Sequence, residues 1–278
     1  MADQKKSDKI KSAVREHYAQ AIINKGGCCG PNLQTFDPDA AGRFVAMAGY
    51  TPDELKGLPE DVTTFGCGNP VALAQVAEGE TVLDLGSGAG LDLILAAKKV
   101  GPTGRVIGLD MTPEMIETCR KNLERAGVTN GEVRMGEMEA MPVDDAEIDW
   151  IISNCVINLS PEKEKVFAES FRVLKPGGRL MVSDIVTIDL PEEYRDDLAA
   201  WAGCIAGAVS EEAYVELARR AGFVDVEIIE KLVYNEATIG ALANESCGCS
   251  GSESNLNDAA LAKYANRVAS VKVSARKP

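Results

Sequence analysis

The sequence predicts an α/β fold: a doubly wound, mostly parallel sheet with an N-terminal helical extension, a lid insertion after the fifth strand and a small C-terminal region. Two observations predict it. From Thr81 onward, short runs rich in Val, Ile and Leu alternate with longer stretches whose apolar residues recur at helical spacing. The first such run, Val82-Leu83-Asp84-Leu85, passes directly into Gly86-Ser87-Gly88-Ala89-Gly90, a glycine-rich turn of the kind through which a strand enters a helix.

The elements follow in order. Ser7 to Asn24 reads as a helix with Ile10, Val14, Tyr18 and Ile22 on one stripe, ended by Gly26-Gly27-Cys28-Cys29-Gly30-Pro31. Asp37 to Pro59 is mixed, with a short helix at Pro52 to Leu58. Asn69 followed by Pro70 is an N-cap with proline at the first helical position, opening a helix through Ala77. Strands are expected at Thr81–Leu85, Arg105–Asp110, Val133–Gly136, Ile148–Asn154 and Arg179–Ile185, the last entered through the turn Lys175-Pro176-Gly177-Gly178. Helices are expected at Gly90–Val100, Pro113–Ala126, Pro161–Val173 and Glu212–Ala221. Val224 to Val233 would supply the closing antiparallel pair, making seven strands. Pro191 to Ser210 is too long for a simple connection and reads as a lid over the carboxyl ends of the strands. The chain thus divides into a helical cap region at 1–64, a ligand-binding domain at 65–234 with the lid at 191–210, and a C-terminal region at 235–278 carrying Cys247-Gly248-Cys249.

Charge and composition exclude some functions. A net charge of −14 argues against a nucleic-acid partner, which clustered Lys and Arg would hold. The basic residues near the end (Lys263, Arg267, Lys272, Arg276 and Lys277) read as the solvated face of a helix. No apolar run has the length of a membrane span, and Met1 to Lys11 has no apolar signal region behind it, so a cytoplasmic chain with no membrane partner is expected. A monomer is the default expectation. Eight cysteines in such a chain point to reactive, redox or metal-binding thiols rather than a static disulfide framework. The single histidine, His17, excludes a His-rich metal site.

In a doubly wound sheet the ligand binds outside the carboxyl ends of the strands, at the switch point. Asp84 ends the first strand there, and Gly86, Ser87, Gly88 and Gly90 let the backbone approach a ligand closely. Asp110, followed by Met111, ends the second strand, where a carboxylate accepts from two ribose hydroxyls. The Asp-x-Gly-x-Gly-x-Gly form resembles the first motif of class I methyltransferases, and Leu174-Lys175-Pro176-Gly177-Gly178 resembles the turn before their fifth strand. That resemblance implies a Rossmann-like, seven-stranded class I methyltransferase sheet binding S-adenosylmethionine. Glu137 and Met138 would then lie beside the adenine, and Asn154 beside the sulfonium.

Three cysteines stand at the places nearest a transferable methyl group. Cys155 follows Asn154 at the end of the fourth strand, Cys204 lies in the lid, and Cys67 lies between glycines just before a helix N-terminus, a position that lowers a thiol pKa. Cys119, within a helix, reads as a small buried residue. At Thr64-Phe65-Gly66-Cys67-Gly68-Asn69-Pro70, at Ser153-Asn154-Cys155-Val156-Ile157-Asn158-Leu159 and at Cys204, the chain resembles the arsenite methyltransferases. The resemblance runs from about Phe65 to Leu232. It implies that Cys67, Cys155 and Cys204 hold trivalent arsenic as thiolates, a soft centre on soft ligands, and that the arsenic lone pair takes the methyl group with no general base. It also implies a role in arsenic detoxification, and a disulfide, reset by thioredoxin or glutathione, between Cys67 and either Cys28 or Cys29. Cys247 and Cys249 either capture arsenic or exchange disulfides, or are incidental. Two other readings stand beside this one: a small-molecule C- or O-methyltransferase, such as one acting on a quinone ring, which shares the cofactor motifs but needs no cysteine at those three positions, and a thiol-based arsenic-binding protein without turnover.

Overall fold

Seven strands form one sheet in the order β3-β2-β1-β4-β5-β7-β6. They are β1 (Thr81–Leu85), β2 (Arg105–Asp110), β3 (Gly131–Met135), β4 (Ile148–Asn154), β5 (Leu174–Thr187), β6 (Val224–Val233) and β7 (Val268–Arg276). The helices are α1 (Ala2–Ile23), α2 (Pro52–Leu55), α3 (Pro70–Leu73), α4 (Leu91–Val100), α5 (Pro113–Arg125), α6 (Lys163–Val173) and α7 (Glu211–Arg220). The computed structural model describes residues 2–23, 49–56, 58, 59, 66, 68–189, 207–236 and 264–278.

The first five strands pair in parallel, and β7 runs antiparallel to both β5 and β6. Helices cover both faces, so the central strands are apolar on both sides. Leu83, Leu85, Ile107 and Leu109 point into one core, and Val82 and Val106 into the other, with Leu93 and Ile94 of α4. Asp84 shares the parity of Val82 and sits at the open end of β1. The direction of winding changes between β1 and β4, so the switch point lies at their carboxyl ends, beside Asp84 and Asn154.

The C-terminal basic segment is a strand, not the expected helix. Val271, Val273 and Ala275 are buried and alternate with Lys272, Ser274 and Arg276, a period of two rather than 3.6. Lys272 pairs with Glu230 and Arg276 with Asp225 across the ladder. The region at 235–278 therefore contributes a strand inserted between β5 and β6. The helix opened by Asn69 is capped as expected, its Oδ1 accepting from Ala72 N–H at 2.9 Å, but it ends at Leu73. Lys99 of α4 takes the Val71 carbonyl, and Ala74 turns to extended backbone. α2 likewise stops at Leu55, short of Leu58. Of the expected lid only residues 207–210 are described.

A buried polar knot ties the exit of β4 to β5. The carboxylate of Asp184 accepts from Asn158 N–H and from the Tyr214 hydroxyl, each at 3.1 Å, and from Ile185 N–H at 3.0 Å. Burial pushes its pKa up to about 7 against these bonds. The folded chain holds this proton more tightly than the unfolded chain, so Asp184's contribution is complete below the ordinary value of 3.8 and is lost as pH rises through about 7. The Asp184→Asn variant should therefore gain stability relative to the unaltered chain between pH 5 and 8, by up to about 1.4 kcal/mol per pH unit. Denaturation midpoints across that range check this, and a difference that stays flat with pH contradicts it.

Candidate functional site

A cleft opens at the carboxyl ends of β1, β2 and β4 and encloses about 950 Å³ including its mouth. The glycine turn forms its floor. Gly86, Gly88 and Gly90 have φ of 64°, 50° and 93°, the left-handed region that a side chain disfavours. Asp110 fastens this turn to the end of β2: one carboxylate oxygen accepts from Gly88 N–H at 3.0 Å and the other from Thr112 N–H at 2.8 Å.

Three aspartates face this cleft: Asp84, Asp92 and Asp110. Burial pushes all three above the ordinary carboxylate range, and the charges of Asp92 and Asp110 add to the effect on Asp84. No hydrogen bond supports the Asp84 carboxylate among the described residues. Buried acidic groups gathered on a glycine-lined cleft suit a ligand with positive charge and hydroxyl groups. The sulfonium, ammonium and ribose of S-adenosylmethionine have that chemistry.

Most of the expected cofactor residues come together here. Asp84, Gly86, Ser87, Gly88, Asp110, Met111, Glu137, Met138 and Asn154 all line the cleft. Gly90 stands behind it, as the N-cap of α4. Helix α1 forms the opposite wall through Lys11, Val14 and Tyr18. Lys11 holds Glu137 at 2.8 Å, Glu139 at 3.2 Å and Glu162 at 3.5 Å. Burial alone would lower its pKa, but the two nearer glutamates outweigh that and raise it.

The polar wall beside β4 centres on Asn154. Its Oδ1 accepts from Gly68 N–H at 3.0 Å, and its Nδ2 donates to the Gly68 carbonyl, to Asp92 Oδ2 at 2.9 Å and to Tyr50 Oη at 3.0 Å. The Tyr50 hydroxyl donates in turn to Asp92 Oδ1 at 2.7 Å. Burial raises Asp92 to about 6, even though the bonds from Asn154 and Tyr50 favour its charge. The glycines at 66 and 68 are required by this contact. A Cβ at Gly66 would lie 2.1 Å from Asn154 Nδ2, and one at Gly68 would lie 1.9 Å from Ser183 Oγ.

Cys155 lines the same cleft, next in the chain to Asn154. Its φ is +59°, a conformation that costs a non-glycine residue about 1–2 kcal/mol. Its N–H is held by the Ser183 carbonyl at 2.7 Å, and it is buried in a hydrophobic cluster that includes Ile10 and Val14 of α1. The sulfur is disulfide-bonded, not the free thiolate that arsenic binding calls for. Because Cys119 is free, the partner of Cys155 lies outside the described residues. Cys119 is buried, and burial followed by the charge of Asp84 pushes its pKa up to about 12, so it stays a thiol. Cys28, Cys29, Cys67, Cys204, Cys247 and Cys249 also lie outside the described residues. Among the described residues no group of three or more His, Cys, Asp or Glu is placed to hold a metal ion, and no helix is long and apolar enough to cross a membrane.

A family model described as a methyltransferase domain matches residues 76–222. The arsenite methyltransferase of Halobacterium salinarum is 42% identical over 235 residues, covering 81% of this chain and 60% of that protein. The crystal structure of an arsenic (III) S-adenosylmethionine methyltransferase from Chlamydomonas reinhardtii matches with a TM-score of 0.59 at 32% identity, covering 84% of this chain and 72% of that one. The chain belongs to the arsenite methyltransferase family. It spans about three fifths of the length of the curated arsenite methyltransferases it matches. The ubiquinone/menaquinone biosynthesis C-methyltransferase of Salmonella arizonae is 41% identical over a shorter stretch, 54% of this chain and 62% of that protein.

Tyr50, Asp92 and Lys11 are absent from the sequence-predicted site of this family member. Asp92 carries a signal, an acidic residue in the first turn after the glycine motif, but that position equally suits the helix dipole. The packing of Gly68 generates a direct test. Gly68→Ala should lower stability by about 1–3 kcal/mol through overpacking against Ser183. A shifted urea midpoint at unchanged slope is expected, and an unshifted midpoint contradicts the contact.

Proposed function

We propose that this chain transfers a methyl group from S-adenosylmethionine to trivalent arsenic held by its cysteine thiolates, as part of arsenic detoxification. When bound, S-adenosylmethionine supplies an electrophilic methyl group carried on a sulfonium. Asp110 and the glycine turn would hold its ribose, with Glu137 and Met138 near the adenine. Asp84 and Asn154 would face its cationic end. The observation that carries the acceptor assignment is Cys155: a strained, buried cysteine directly beside Asn154 on the wall of the cleft. The relatives named for arsenite or arsenic (III) support the same reading.

In this reading Cys155, Cys67 and Cys204 supply sulfur to the arsenic, and Cys28 or Cys29 takes part in disulfide exchange. Thiolates suit soft trivalent arsenic, which keeps a lone pair and needs no base to become a nucleophile. The chain's own contribution is positioning: it holds the arsenic against the cleft at a fixed distance and orientation. The disulfide at Cys155 must first open. A dithiol of the thioredoxin type, or two glutathiones, delivers two electrons and two protons, is itself oxidised to a disulfide, and leaves two thiols on the chain.

Incubation with arsenite, labelled S-adenosylmethionine and a dithiol should yield methylated arsenicals by mass spectrometry, and no product without the dithiol. Cys155→Ser should cut product by about 100-fold or more while cofactor affinity stays within about twofold. Arsenite methylation at the unaltered rate in Cys155→Ser would overturn the assignment. Tight arsenite binding with no methylated product would favour a binding protein without turnover.

A further inference from the structure

Behind the cleft face of Asn154 lies a hydrogen-bonded relay through Asp92 to Tyr50, two residues to which the proposed reaction assigns no role. The Asp92 carboxylate, once ionised, can only accept hydrogen bonds. With the Gly68 carbonyl it draws the Asn154 NH₂ to its own side, which leaves Asn154 Oδ1 for the Gly68 N–H. A flipped amide would set oxygen against carboxylate and NH₂ against N–H. Tyr50 completes the relay. It donates to the second oxygen of Asp92 and accepts from Asn154. Tyr50 is buried and does not line the cleft, and among the described residues its hydroxyl meets the site through Asp92 and Asn154.

We propose that Tyr50 and Asp92 are positioning residues of the methyl-transfer site, locking the Asn154 amide in the one orientation that pins the Gly68 backbone to the end of β4. The inference rests on the methyltransferase reading above for its catalytic consequence, but the lock itself needs no substrate. Its energetic basis is the cost of leaving a buried donor or acceptor unmade. The relay also joins two parts of the chain. Tyr50 precedes the matched methyltransferase domain at 76–222, whereas Asp92 and Asn154 lie within it. Gly68 is thereby tied, through Asn154, to a group from each part.

Tyr50→Phe keeps the ring and removes only the hydroxyl. Site-resolved hydrogen exchange on the reduced, ligand-free chain should show the Gly68 amide exchanging about tenfold faster or more. The amides of Leu83 and Ile151, in the centres of β1 and β4, should be unchanged. Asp92→Asn should release Gly68 in the same way. In single turnover with arsenite, Tyr50→Phe should lower the rate of methyl transfer about tenfold or more while the affinity for S-adenosylmethionine stays within about twofold. Unchanged Gly68 exchange in both variants overturns the proposal. Faster exchange spread equally over β1 and β4 also overturns it, because that marks a general structural role. If the unaltered chain methylates no arsenite, the function assigned above fails, and the exchange data still decide the lock.

Discussion

The hydrogen bonds of the Asn154 side chain are the constraint on which the site depends. Asn154 is the last residue of β4, the strand that adjoins β1 at the switch point of the sheet. Its amide reaches forward to the Gly68 backbone and back to Asp92 and Tyr50. The close fit leaves no room for a side chain at Gly66 or Gly68. It also fixes the point from which Cys155 departs in a left-handed conformation. One amide thus joins the glycine-flanked loop, the cofactor wall and the strained cysteine.

Electrostatics reinforce this arrangement. Asp84, Asp92 and Asp110 bring acidic groups into a buried cleft where none is paired with a cation among the described residues. A ligand bearing positive charge relieves that cost on binding. On the opposite wall, Lys11 gathers three glutamates and draws α1 across the mouth. The N-terminal helix therefore belongs to the site. Its Ile10 and Val14 share a hydrophobic cluster with Cys155.

The central architecture was legible because local and global signals agree there. β1, β2 and β4 lie where hydrophobic runs meet turn residues, and the glycine motif falls on the expected strand end. The stripe of α1 was visible as well, although not the surface it covers. β7 was misread because its basic residues suggested a helix face, while the alternation of Val271, Val273 and Ala275 carried the true period. Tyr50 and Asp92 could not be read as partners. The bonds that give them meaning span 42 residues from Tyr50 to Asp92 and 62 from Asp92 to Asn154, and no periodicity reports such contacts. Lys11 meets Glu137 across 126 residues, and its meaning appears only when α1 docks.

The central claim is that arsenic is held by sulfur beside Asn154, with Cys155 as one of its ligands. X-ray absorption at the arsenic edge, on the reduced chain loaded with arsenite, measures this directly. The account predicts an arsenic coordinated by sulfur alone, with one sulfur neighbour lost in Cys155→Ser. A first shell of oxygen, or a sulfur shell that Cys155→Ser leaves intact, would contradict it.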